Sequence, residues 1–184
     1  MSDNKHERRF VVAELRADGD KPKITGYAAL FNAVTDLGMF REQIAPGAFS
    51  ASLAKPDDVR ALWNHDPNIV LGRNTAGTLT LSEDERGLRI EIDPPDTQWG
   101  RDAVTSIRRG DVSQMSFGFF THRESWDYEQ NMRTLEEVEL FDVSPVTFPA
   151  YADTTVAVRS MEHGRKAAGM HPTVAAAIVR LAQL

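Results

Sequence analysis

Two runs of alternating polar and apolar residues, VSQMSFGFFTHRESWDY (112–128) and MRTLEEVELFDVSPVTF (132–148), flank the turn-forming EQN. A period of two over so many residues is the mark of a strand, and two such runs around a short polar break read as one long β-hairpin. This feature commits the chain to a fold built on antiparallel sheet. Pro145 and Pro149, which cannot donate to a ladder, end the second arm. The rest of the chain agrees. RFVVAELRA and KITGYAALF read as strands joined by DGDKPK, VRALWNHD and IVLGR as two more, and TLTLSEDERGLRIEIDPP as a hairpin about EDERG. A short helix is expected in APGAFSASL, with Pro46 suited to its first turn. One longer helix is predicted over DTQWGRDAVTSIRRG, with Asp96 as N-cap, Trp99, Ala103 and Ile107 on one face, and Gly110 as its stop. About seven or eight short strands with one clear helix suggest an antiparallel barrel or sandwich, and no βαβ pattern points to a parallel sheet.

The chain of 184 residues suits one domain with a tail. Residues 1 to 8 are polar and are expected to be disordered. The main domain is expected over 9–160. From Met161 the composition changes: EHGRKAAGMHP reads as a linker and TVAAAIVRLAQL as a helix capped by Thr173. Hydrophobic (41%) and charged (26%) shares are ordinary for a globular protein. The net charge of −6 gives no support to a nucleic-acid partner. The absence of cysteine excludes a thiol nucleophile, disulfides and thiolate metal sites. MSDNKHERRF is not a signal peptide, and TVAAAIV is too short to span a bilayer, so neither secretion nor a membrane partner is expected. The five histidines (6, 65, 122, 163, 171) have no ligand-like spacing and there is no H-E-x-x-H, so no metal or other cofactor is expected.

Within this frame two polar residues stand in apolar surroundings. Ser116, between Met115 and Phe117, needs a hydrogen-bond partner if buried. Gly118 faces the same side and leaves space there, which suits a ligand or another backbone coming close. A core serine beside a bulge is the plainer reading, and a substrate-facing nucleophile the sharper one. His65, in WNHDPN, sits at the end of a strand next to a turn, a common place for catalytic groups. Histidine as a residue type suits the role of general base. Asp66 should point to the opposite face and is a poor partner for it. An acid to orient His65 is sought on the second hairpin arm, among Glu136, Glu137, Glu139 and Asp142. If the turn centres on Glu129 and Gln130, residues 142 or 143 face Ser116. Proximity favours Asp142, with Glu137 as the alternative. Arg73, in LGR, is a candidate for holding the site or binding substrate; a surface ion pair is its plainer role. The chain has no G-x-S-x-G elbow, which argues against an α/β-hydrolase.

The motifs GYAALFN, EQIAPGAF, LWNHD…LGR, SQMSFGF and EVELFDVSPVTFPAY, in that order over about residues 10 to 158, resemble the prohead proteases of tailed phages, of the HK-ninety-seven type. That family is similar to the herpesvirus assemblins. The resemblance implies a mainly β fold with peripheral helices, built on a closed antiparallel β-barrel. It implies that His65 and Ser116 are the catalytic histidine and serine, with Asp142 or Glu137 at acidic positions of the motif. It further implies cleavage of the scaffolding segment of the major capsid protein inside the prohead, in the host cytoplasm, together with self-cleavage. The tail from residue 161 would then be a self-cleaved, packaging or dimerisation element. Two other readings remain open at this point. One is a non-catalytic capsid-assembly module of the same fold, and the other is a serine esterase.

Overall fold

The structure, a computed structural model, describes residues 6–12, 15–18, 22–55 and 57–148. The strands in chain order are β1 (His6–Val12), β2 (Arg16–Asp18), β3 (Lys23–Leu30), β4 (Thr35–Asp36), β5 (Arg41–Ile44), β6 (Arg60–Trp63), β7 (Asp66–Arg73), β8 (Leu79–Glu83), β9 (Gly87–Ile92), β10 (Gln114–Asp127) and β11 (Met132–Val146). The helices are the single turn α1 (Ser50–Leu53), which precedes β6, and α2 (Gln98–Arg109), which precedes β10. The expected tail at 161–184 lies outside the described residues.

The fold is mainly β with few helices, as anticipated. Its strands form a seven-stranded sheet, with the path β1-β10-β11-β5-β4 and β6 and β7 branching from β11, and a four-stranded sheet in the order β2-β3-β9-β8. Neither sheet closes on itself among the described residues, so they do not bear out the closed barrel. The length of β11 explains the branching. Its start pairs in parallel with β5 at Met132 to Leu135, and its end pairs in parallel with β6 at Asp142 and Val143. One edge of a 15-residue strand thus serves two neighbours, and the sheet splays there. The core lies between the sheets, where Met115, Phe117 and Phe119 of β10 join Ile24, Leu88, Ile90 and Ile92. Phe49 closes one side, edge-on to Phe117 at 5.5 Å between ring centroids.

α2 lays Ala103, Val104 and Ile107 on this core and ends at Gly110, whose φ of +78° is the left-handed cap expected of it. Its N-cap is Thr97 rather than Asp96: the Thr97 hydroxyl accepts from the Gly100 N–H, while Asp96 pairs with Arg101. Pro46 lies in the turn ahead of α1, not in its first turn.

The expected disordered start also needs correction. Residues 6 to 8 belong to β1 and pair with Phe120, Phe119 and Gly118 of β10. The pairing satisfies those of their backbone groups that face β10, and Glu7 is buried by partners from elsewhere. Arg9 donates to Glu42 (2.5 Å) and Glu7 (2.7 Å). Arg133 donates to Glu7 (2.9 Å), Glu42 (2.8 Å) and Glu124 (2.6 Å). Thr121 donates to Glu7 at 2.8 Å. These side chains clamp β1, β5, β10 and β11 together. Charges this deeply buried are tolerated only because each has partners.

Burial acts to raise the Glu7 carboxyl, but the hydrogen bond and charge of Arg133, with Arg9 and Thr121, outweigh it and bring it to about 2 from an ordinary 4.5. A carboxyl lowered on folding stabilises fully above its unfolded value and loses that stabilisation as pH falls toward its folded value. Urea unfolding of the wild type should therefore show a loss of roughly 3 kcal/mol from Glu7 between about pH 5 and pH 2. Glu7→Gln should flatten the curve in this window.

Candidate active site

The hairpin β10–β11 turns about Glu129 and Gln130, as its alternation predicts, with Asp127 opposite Met132. Continued without interruption, that register would set Asp142 opposite Phe117, on the core face. The register is interrupted. His122 on one arm and Glu136 on the other are unpaired extra residues whose shifts cancel. A third extra residue, Phe141, has no counterpart to cancel it. Gly118 therefore faces Asp142, and Ser116 faces Ser144. A shift of one residue exchanges the faces of every side chain beyond it. The Phe141 bulge thus moves Asp142 from the side of Phe117 to the side of Ser116.

His65 reaches that side from a different element. The sequence suggests a strand end, but the structure places His65 within the turn itself. Trp63 pairs with Asp66, leaving Asn64 and His65 as a two-residue hairpin loop between β6 and β7. Both have positive φ, +53° and +58°, as a type I′ turn demands. Asparagine tolerates this conformation well, histidine less so, at a cost on the order of 1 kcal/mol. Contacts to the end of β11 hold the loop down. The Asn64 N–H donates to the Pro145 carbonyl (3.0 Å), and the Asn64 side-chain carbonyl accepts from the Thr147 N–H (2.8 Å). The His65 N–H donates to Ser144 Oγ at 3.3 Å.

The result is a line of side chains. Ser116 Oγ lies 2.7 Å from His65 Nε2, and His65 Nδ1 lies 2.5 Å from Asp142 Oδ2. Ser144 Oγ donates to the same Asp142 oxygen at 3.0 Å. The side chains of His65 and Asp142 are only 7% and 2% exposed. A hydroxyl, an imidazole and a carboxylate in this order, withdrawn from water, can pass a proton from Oγ to Nε2 while the carboxylate fixes Nδ1–H as the other tautomer position.

The other sequence candidates lie elsewhere. Glu137 bonds to Arg123 at 3.2 Å on an exposed part of the hairpin, so it is not brought to His65. Glu136 pairs with the same arginine and Glu139 with His122. Arg73 makes a two-pronged ion pair with Asp58 (2.6 and 2.7 Å), and its hydrogen bonds hold that carboxyl at about 2; the surface role is the one it fills. Asp66 accepts from Asn68 and takes no part in the line. The space over Gly118 is not open to substrate. A Cβ placed there would lie 2.3 Å from Asp142 Oδ1 and 2.6 Å from His6 Nε2, so the glycine makes room for the protein's own side chains. Ser144, Asn64, Thr147 and His6 were not anticipated. For Ser144 the signal was present: two residues after Asp142, it shares its face. Among the described residues no cluster of three or more histidines and acids is placed to hold a metal ion, and no helix is long and apolar enough to cross a membrane.

The solved structure of the bacteriophage T4 capsid assembly protease resembles this chain with a TM-score of 0.49 at 11% identity, over 79% of this chain and 100% of that one. No curated protein matches the chain significantly in sequence. Residues 10–167 match the caudovirus prohead serine proteases. That span contains both hairpin arms and the loop that carries His65, so the chain belongs to the caudovirus prohead serine protease family and is a serine protease.

Proposed function

We propose that this protease cleaves the scaffolding segment from the major capsid protein inside the assembled prohead and also cleaves itself. Ser116 is the nucleophile, His65 the general base and then acid, and Asp142 the group that orients His65. The observation that carries the assignment is the line Ser116 Oγ–His65 Nε2 (2.7 Å) and His65 Nδ1–Asp142 Oδ2 (2.5 Å) in a chain of this family.

In the first half-reaction Ser116 Oγ attacks the peptide carbonyl carbon as its proton moves to His65 Nε2. The C–N bond then breaks, and His65 returns the proton to the leaving amine. In the second, water attacks the acyl-serine, again giving its proton to Nε2, and the acid product leaves as Ser116 regains its hydrogen. Asp142 stabilises the imidazolium formed in each half, and the Ser144 hydroxyl steadies the Asp142 oxygen that faces His65. Residues 161–184 are the proposed self-cleaved or targeting tail.

Co-expression with the capsid protein, followed by mass measurement of the products, tests the reading. Ser116→Ala and His65→Ala should each abolish processing while leaving the fold intact; unchanged products from either would remove the assignment. Asp142→Asn should slow cleavage on the order of 10⁴-fold, since the amide favours the wrong imidazole tautomer. Glu137→Gln should leave the rate within about two-fold, as expected for an exposed ion pair.

A further inference from the structure

Of the three buried polar atoms on the site face of the larger sheet that have no hydrogen-bond partner among the described residues, Gln114 Oε1 lies at the start of β10, and the other two are His6 Nε2 and Asp142 Oδ1. They converge on one point, since a Cβ built on Gly118 would lie within 2.6 Å of both. Leaving one such group unpaired costs free energy, and leaving two that face each other unpaired would cost twice over. The imidazole is also held. It stands edge to face against Phe120 (5.4 Å between centroids) and against Phe141 (4.8 Å), the residue of the bulge.

The charged and titratable groups that act on His6 are Arg8 and Glu7 on its own strand, Asp142 on β11 and His65 in the turn. Burial lowers its pKa from 6.5, Arg8 and His65 act in the same direction, and Asp142 and Glu7 oppose them. At neutral pH the ring is therefore uncharged and carries one N–H. Asp142 Oδ2 already accepts from His65 and Ser144. Oδ1 is the oxygen left for His6.

We propose that His6 is a positioning residue: its Nε2–H donates to Asp142 Oδ1 through the gap left by Gly118, fixing the carboxylate so that Oδ2 faces His65 Nδ1. The inference rests on the catalytic line proposed above. It adds a fourth side chain, brought by the edge strand β1 from a segment more than a hundred residues away in sequence. It also gives Gly118 its role, because any side chain there would separate the two groups.

The test compares His6→Phe, which keeps the aromatic packing and removes the donor, with His6→Gln, whose amide nitrogen reaches about as far as Nε2. Turnover is followed on a peptide copied from the processed capsid site. The low-field NMR signal of the His65 Nδ1 proton is recorded on the full chain. His6→Phe should lower kcat about 10- to 100-fold with KM unchanged and shift or broaden that signal, and His6→Gln should restore most of both. Where His6→Phe is unstable, His6→Asn, whose amide falls one bond short, takes its place. Wild-type kcat and an unmoved signal in the donor-less variant would overturn the proposal, as would a failure of His6→Gln to restore them. Ser116→Ala separates the two levels. If it abolishes cleavage while His6→Phe changes nothing, only the role of His6 falls; if it leaves cleavage intact, the catalytic line falls and the role of His6 with it.

Discussion

A single unpaired residue in a long hairpin decides which side of the sheet holds the chemistry. Phe141 has no counterpart on β10, and beyond it the pairing of β11 is displaced by one. Asp142 and Ser144 consequently share a face with Ser116 and Gly118, while Phe117 and Phe119 keep the core face. Without that displacement the carboxylate would be driven among phenylalanines, where an unpaired charge costs several kcal/mol or more. The bulge also re-aims its own side chain. Phe141 is half exposed and packs on His6 beside the site.

The second requirement is a histidine brought in from outside the hairpin. β6 lies beside the end of β11, so its loop hangs over Ser116 and Asp142. The loop has two residues and a left-handed backbone at both. Its strain is offset by hydrogen bonds to Ser144, Pro145 and Thr147, and these same bonds tie the position of the imidazole to the strand carrying Asp142. A second set of ties lies on the other face. There Glu7, Arg9, Glu42 and Arg133 lock the edge strand β1 and β5 to the hairpin. The site is thus backed by a fixed polar cluster as well as an apolar core.

Much of this was legible in the sequence. The hairpin, its centre, the helix 98–109 and the polar residues at 65 and 116 follow from alternation and from polar side chains in apolar runs. The residues expected opposite Ser116, 142 or 143, fall one or two short of the observed Ser144, and the bulge accounts for one of them. The extra residues on β11 break the period of two, since the core-facing Leu135 and Val138, and Leu140 and Val143, lie three apart, and an uninterrupted alternation passes over those breaks. Asn-His is also a weaker turn signal than Asn-Gly, so His65 read as the end of a strand. His6 and Glu7 sit in a charged N-terminal run that looks solvent-borne. The burial of Glu7 depends on partners at Thr121 and Arg133, and no local pattern carries information over such distances. Gly118 was read as space for a ligand; the space was real, but the chain fills it with itself.

The paired extra residues, His122 on one arm and Glu136 on the other, show how such a hairpin can change length. Each alone would exchange the faces of everything nearer the site; together they leave it untouched. Insertions and deletions in the paired parts of the arms between residues 119 and 140, outside the turn at 128–131, are therefore governed by parity. Compensated in pairs, they alter the outer hairpin and whatever it meets without reaching the reacting groups. Taken singly, they turn Asp142 back toward the phenylalanines. Related chains are free to vary the far half of this hairpin in shape and charge, but only in steps that keep the sum even.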